Sequence, residues 1–313
     1  MKRILVVYYS QTGQLGEILQ SIVEPLRASN DCSVMMLQLK PKQPYPFPWS
    51  FWRFFNTFPE CIYDDPGPVE KLNLADDAEF DLVILGYQVW FISPSLPTTA
   101  FLQSEQARRL LHGKPVITVI GCRNMWLMAQ ERVKQHLKKL GARLIDNIAL
   151  TERTHGAKSV VTTPWWLLSG NKGPYLGGLL PRAGVWQADI DSAARFGRAI
   201  AEQLPRRDPL DDRPMLVGLG AVVVHPGLIS SEQIVQRSFR LWGALLRACG
   251  KPDSILRRGV LALYVAFLVA MLLTVVPVVF ILKTLASPLT RQHTLRQRTY
   301  FAAPSGEETG LME

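Results

Sequence analysis

Apolar runs set the frame of the first half of the chain. Residues 4–9 (ILVVYY), 80–86 (FDLVILG) and 114–121 (KPVITVIG) are almost continuously hydrophobic. Runs of this length predict parallel strands buried on both faces. Two shorter strands are predicted at 34–39 and 143–150. Between the strands, 15–26, 101–111 and 128–140 carry apolar residues at helical spacing. The alternation predicts an α/β fold, a doubly wound parallel five-stranded sheet with helices on both faces. An amphipathic helix follows from Asp189 to about Leu204, and the charged stretch 205–214 reads as a linker.

Two segments break the alternation and are predicted to be irregular inserts. Residues 41–68 are rich in proline and aromatics, including Tyr45, Trp49, Trp52, Phe54 and Phe58. Aromatic area of that size is costly to leave in water, so the segment is expected to be ordered. The second insert, 151–187, contains Pro164-Trp165-Trp166 and several glycines. Residues 1–204 thus form one predicted domain with two inserts.

Beyond it the character changes. Residues 259–282 (GVLALYVAFLVAMLLTVVPVVFIL) hold no charge. A helix of that length reaches about 36 Å, enough to cross a hydrocarbon core of about 30 Å. A C-terminal hydrophobic helix, transmembrane or membrane-embedded, is therefore expected at 259–282, with a tail at 283–313. The preceding 205–258 is a basic, membrane-proximal region: from Arg237 to Arg258 there are six basic residues and one acid, Asp253. Basic flanks favour the cytoplasmic side. The expected localisation is the cytoplasmic face of the membrane with a single C-terminal membrane segment. Pro277 and a tail that is itself basic keep a re-entrant arrangement open.

Composition narrows the function classes. The 313 residues are 48% hydrophobic and 19% charged, which excludes an intrinsically disordered chain. The net charge of +9 calls for an anionic partner. No nucleic-acid motif accompanies it, so membrane lipid is expected and nucleic acid is not. Cys32, Cys61, Cys122 and Cys249 lie far apart without a CxxC pair, which argues against a disulfide scaffold or a zinc module. The six apolar residues after Arg3 are too few for a signal-peptide core.

The loop after the first strand carries the most chemistry. Ser10, Gln11, Thr12, Gly13, Gln14 and Leu15 join a predicted buried strand to a predicted helix. Hydroxyls, a permissive glycine and open amides at a helix N-terminus suit a phosphate. The loop has neither GxxxxGK[ST] nor GxGxxG, so nucleoside triphosphate and dinucleotide chemistry are disfavoured. A monophosphate held without a cationic side chain points to flavin mononucleotide (FMN). The next loop, Gly86-Tyr87-Gln88-Val89-Trp90-Phe91, follows the second buried run. A third, Gly121-Cys122-Arg123-Asn124, follows the run from 114. In open α/β sheets ligands bind beyond the carboxyl ends of the strands, where all three loops lie.

The first loop resembles the flavodoxin phosphate loop, S/T-x-T-G-x-T. Ser10, Thr12, Gly13 and Gln14 match its phosphate-binding positions, and Leu15 replaces the final threonine. The second loop resembles G-[ST]-P-[VIT]-aromatic of flavodoxin-like quinone reductases, with Tyr87 for the small residue and Gln88 for the proline. A flavodoxin-like fold over residues 1–204 is implied, with FMN as cofactor. Trp90 or Phe91 would pack on the isoalloxazine, amides at Cys122 to Asn124 would meet its polar edge, and Arg123 would steady negative charge. YYSQTGQL, GCRNMW and PWW further resemble the dialkylresorcinol condensing-enzyme family, whose members accompany ketosynthases.

The resemblance implies a membrane-associated FMN-dependent oxidoreductase acting on an apolar, cyclic dione or quinone-like substrate. Its reaction would be oxidative aromatisation of an alkylated cyclohexanedione, with a ketosynthase of the same pathway as partner. His155, in the second insert, is the candidate base. Three alternatives stay open: an NAD(P)H-dependent quinone reductase, a tethered flavodoxin-type electron carrier, and a scaffold without flavin.

Overall fold

The computed structural model describes residues 1–153, 157–252 and 254–306, with side chains described except at 157–160, 272 and 275–294. β1 (Lys2–Tyr8) leads to α1 (Gln14–Ala28) and β2 (Cys32–Gln38). The first insert forms two short helices, α2 (Phe51–Asn56) and α3 (Phe58–Ile62). β3 (Leu82–Tyr87) is followed by a small hairpin, β4 (Val89–Trp90) and β5 (Ser93–Pro94). Then come α4 (Leu96–Leu102), α5 (Glu105–Leu111), β6 (Pro115–Cys122), α6 (Leu127–Lys139) and β7 (Arg143–Thr151). The second insert begins with α7 (Ala157–Ser169). The remaining helices are α8 (Gln187–Ser192), α9 (Ala194–Gln203), α10 (Pro226–Ala248) and α11 (Ile255–Ala302).

The five long strands form one parallel sheet in the order β2-β1-β3-β6-β7. Counting only these strands, the order is 2-1-3-4-5, the doubly wound arrangement of flavodoxin, whose switch point lies between the first and third strands. The expected five-stranded flavodoxin-like sheet is therefore present. Ile4 to Val7 and Leu82 to Leu85 have no solvent exposure, as befits strands covered on both faces. α1 covers one face with Leu15, Ile18, Leu19, Ile22, Val23 and Leu26, all buried and spaced three or four apart. Each such side chain contributes about 1.5–3 kcal/mol by leaving water. The single helix expected over 101–111 is two, because Ser104 accepts a hydrogen bond from the Ala107 amide and caps a fresh start.

The C-terminal third departs most from expectation. Among the described residues no helix is long and apolar enough to cross a membrane. The expected membrane segment at 259–282, and the localisation built on it, are thereby overturned. The stretch is instead part of α11, one side of whose first turns packs on the domain. Leu261 and Tyr264 are buried against Phe58 and Leu246, and the Tyr264 ring stacks on Phe58 with centroids 4.7 Å apart. Arg257, 2% exposed, reaches both carboxylate oxygens of Glu60 at 2.8 Å. At the far end Tyr300 hydrogen-bonds Glu131, Phe301 and Ala302 enter the main core, and Ser305 hydrogen-bonds Asp146.

A straight helix would separate Arg257 and Tyr300 by about 64 Å. Yet Glu131 adjoins Arg132, which donates to the carbonyls of Cys61 and Ile62, beside Glu60. Both ends of α11 thus meet neighbouring parts of one domain, and the helix is not one straight rod.

Candidate functional site

At the carboxyl end of the sheet the predicted loops open onto one cleft of about 160 Å³. Gln11, Thr12, Gln14 and Leu15 line it from the first loop, Gln88, Val89, Trp90 and Phe91 from the second, and Gly121, Cys122 and Arg123 from the third. Both inserts close over it. Trp49 and Phe54 come from the first insert, Thr163, Trp166, Leu167 and Gly184 from the second. Five indole or phenyl side chains therefore line it together with several polar residues.

The first loop turns because Gly13 adopts φ +85, a left-handed conformation that is free of strain only for glycine. The N-cap residue of α1, Gly13, has no side chain to cap the helix, so the Gln14 and Leu15 amides keep the capacity to meet an anion. The Thr12 hydroxyl lines the cleft. Ser10 lies lower, its Oγ accepting the Gly16 amide at 3.3 Å.

The two glutamines of this loop work structurally. Gln11 donates from Nε2 to the Pro46 carbonyl and accepts from Trp49 Nε1, tying the loop to the first insert. Gln14 is buried and reads both the amide and the carbonyl of Val185 at 3.0 Å, tying α1 to the second insert. Their side chains are thus engaged with the two inserts, while both residues line the cleft. The Gln14→Ala variant leaves the Val185 amide and carbonyl without those partners. We expect a loss of about 2 kcal/mol in urea denaturation; an unchanged midpoint would remove the clamp from the account.

The departures from the flavodoxin pattern have local explanations. Gln88, in place of proline, accepts the Gln11 amide through Oε1 at 3.2 Å and joins the first two loops. Tyr87 points away from the cleft into the core beneath α6, its hydroxyl donating to Gln130 Oε1 at 2.6 Å. Gln130 in turn donates to Thr118, which donates to Asn147. The tyrosine is tolerated because this buried chain satisfies its hydroxyl. Asn124 is not among the cleft-lining residues. His155 lies outside the described residues.

Trp90 sits in a ring of Tyr9, Tyr45 and Trp49, with centroids 5.8, 5.0 and 5.4 Å away. The hairpin it belongs to turns through Phe91 and Ile92 at φ +49 and +54. Left-handed backbone costs a residue with a Cβ about 1–2 kcal/mol. Packing of Phe91 on Phe54, Phe58 and Phe239 holds the turn in place.

Charge on the cleft floor comes from two residues. Arg123 is held below the usual guanidinium range by burial, and the nearby Glu152 carboxylate opposes that shift. Glu152, 3% exposed, lines the same cleft. It escaped the sequence reading although it stands directly beyond β7, where the other three loops stand on their strands. Burial, then the charge of Glu232, pushes the Cys122 thiol well above its ordinary range, which argues against a nucleophile. Glu232 reaches from α10 to the start of α6, accepting the Met128 amide at 2.9 Å.

No family model matches the chain, and no curated protein matches it. Solved structures do. A flavoprotein in complex with FMN from Lactobacillus acidophilus NCFM is 16% identical, covering 47% of this chain and 92% of its own, with a TM-score of 0.38. A flavodoxin from the domain Archaea is 12% identical over 66% of this chain and 99% of its own, with a TM-score of 0.38. A WrbA-like flavodoxin from Agrobacterium tumefaciens is 12% identical over 66% and 98%, with a TM-score of 0.34. The assignment of fold rests on the strand order, not on these scores.

Proposed function

We propose that the cleft holds FMN and that the protein is an FMN-dependent oxidoreductase for an apolar, cyclic dione or quinone-like ring. The observation that carries this reading is the convergence of three strand-end loops on one aromatic-walled cleft at the switch point of the sheet. The residues fit the group. Thr12 and the first two amides of α1 suit the terminal phosphate. Trp90, Phe91 and Trp166 suit a flat ring system.

When bound, FMN supplies the hydride or electron exchange. The chain supplies the rest. Trp49, Phe54 and Leu167 exclude water and favour an apolar substrate. Arg123, charged and desolvated, steadies negative charge that develops on a ring oxygen. The finer proposal is aromatisation of an alkylated cyclohexanedione to a dialkylresorcinol, with the ring precursor coming from a ketosynthase.

Cofactor identification on gently purified protein tests the reading: mass spectrometry is expected to recover FMN. Thr12→Val removes a hydroxyl from a charged ligand, a loss of about 1.5–3 kcal/mol, or roughly ten- to hundredfold in Kd. Riboflavin affinity should not change. Equal losses for FMN and riboflavin would refute the phosphate assignment. Bleaching of the flavin by an alkyl cyclohexanedione supports the aromatising reaction, whereas bleaching by NADPH alone supports a quinone reductase.

A further inference from the structure

We propose that Glu152 is the base of this cleft, taking a proton from the ring carbon beside a substrate carbonyl while Arg123 receives the resulting enolate oxygen. The inference rests on the oxidoreductase reading above and names the residue that handles its proton.

Three observations carry it. The first is position: Glu152 follows the carboxyl end of β7 and lines the cleft with Gly121, Cys122 and Arg123. The second is fixation. The Glu152 amide donates to the carbonyls of Cys122 at 3.1 Å and Arg123 at 2.8 Å, which fastens its backbone to the third loop. Its Oε2 accepts the Thr163 hydroxyl at 3.0 Å, from α7 of the second insert. The carboxylate is therefore held from the sheet and from the insert that roofs the site.

The third is cost. Glu152 is 3% exposed, in a cleft that it shares with the indole and phenyl rings of Trp49, Phe54, Trp90 and Trp166. A carboxylate in such surroundings is expensive unless a positive charge accompanies it. Arg123 brings a positive charge to the same cleft, and its carbonyl accepts the Glu152 amide at 2.8 Å, so the two residues lie side by side with charges that attract. A paired acid and cation at the floor of an apolar pocket is the arrangement that enolisation needs. The C–H bond breaks, its proton goes to the carboxylate, and the electron pair moves onto the carbonyl oxygen facing the guanidinium. No oxidant takes part in this half of the reaction.

Proton–deuterium exchange tests it without turnover. The FMN-loaded protein is incubated in deuterated buffer with cyclohexanone, and loss of the α-proton signal is followed by NMR. Wild type is expected to accelerate exchange. Glu152→Gln, which keeps the shape and an acceptor for Thr163, is expected to lower the catalysed rate roughly a hundredfold or more. Glu152→Asp should restore part of it. Flavin absorbance and the thermal midpoint of each variant report on folding.

No exchange above buffer by wild type, or equal exchange by Glu152→Gln, would overturn the proposal. Exchange by a protein that binds no flavin would instead overturn the redox reading and leave the base in place.

Discussion

Gly197→Ala is expected to separate α1 from α9 and to cost about 3 kcal/mol or more, seen as a lowered urea midpoint. A Cβ at Gly197 would lie 1.9 Å from the Ile22 carbonyl oxygen and 2.9 Å from its carbon. These are backbone atoms of α1, so no side-chain rotation relieves the overlap. Pro25 Cδ at 3.2 Å closes the remaining direction. The helices must move apart, and the seam of Ile22, Phe196 and Ile200, all without exposure, would open with them. Overpacking of cores costs 1–3 kcal/mol when side chains can adjust, and more when they cannot. Because α1 begins directly after Thr12 and Gly13, FMN retention should fall in parallel. A variant with the wild-type midpoint would mean that the crossing is looser than it looks.

The second large effect is in pH. Burial pushes the Glu232 carboxyl up to about 7, although amides at the start of α6 partly offset the shift. Unfolded, it titrates near 4.5. Between these values the folded protein holds a proton that the unfolded chain has released. Stability is therefore fully present below about 4.5 and is lost as pH rises through about 7. A shift of this size corresponds to about 3 kcal/mol. Asp146 works in the same direction, since burial raises it to about 6.

Glu232→Gln keeps an acceptor for the Met128 amide and removes the ionisation. At pH 8 the variant should be more stable than wild type by up to about 3 kcal/mol. At pH 5 the two should differ little. Denaturation midpoints at the two pH values decide it. A wild-type slope retained in the variant would show that Glu232 does not carry the effect.

Much of the domain was legible along the chain. Ile4 to Val7 and Leu82 to Leu85 are apolar without interruption because both faces of a parallel strand are covered. Leu15, Ile18, Leu19 and Ile22 follow the helical period because one side of α1 meets the sheet. Glycine and hydroxyls between such elements locate a ligand loop, since ligands in this architecture bind beyond the carboxyl ends of strands. Thr12, Trp90, Phe91 and Arg123 line the cleft on that ground.

Other features left no local trace. By sequence α10 is only part of a basic region, yet it places Glu232 on the start of α6, 104 residues earlier in the chain. Tyr87 looks like a loop residue, but its direction follows from a strand that continues through it and from Gln130 lying above. The 259–282 stretch is apolar enough for lipid in isolation. The use of its first turns depends on Phe58, about 200 residues earlier, and on Leu246 of α10, which pack with Leu261 and Tyr264.

The order of hydrophobic and polar residues by itself determined the layers, the strand-end position of the cleft and the hydroxyl loop. Periodicity records which side of an element avoids water, and that information is local. Tertiary structure alone decided that Gln14 clamps Val185, 171 residues away, that Glu152 faces the cleft beside Arg123, and that both ends of α11 return to the domain. A face that seeks burial does not specify its partner. The partner is chosen by the simultaneous packing and hydrogen-bond demands of the whole chain.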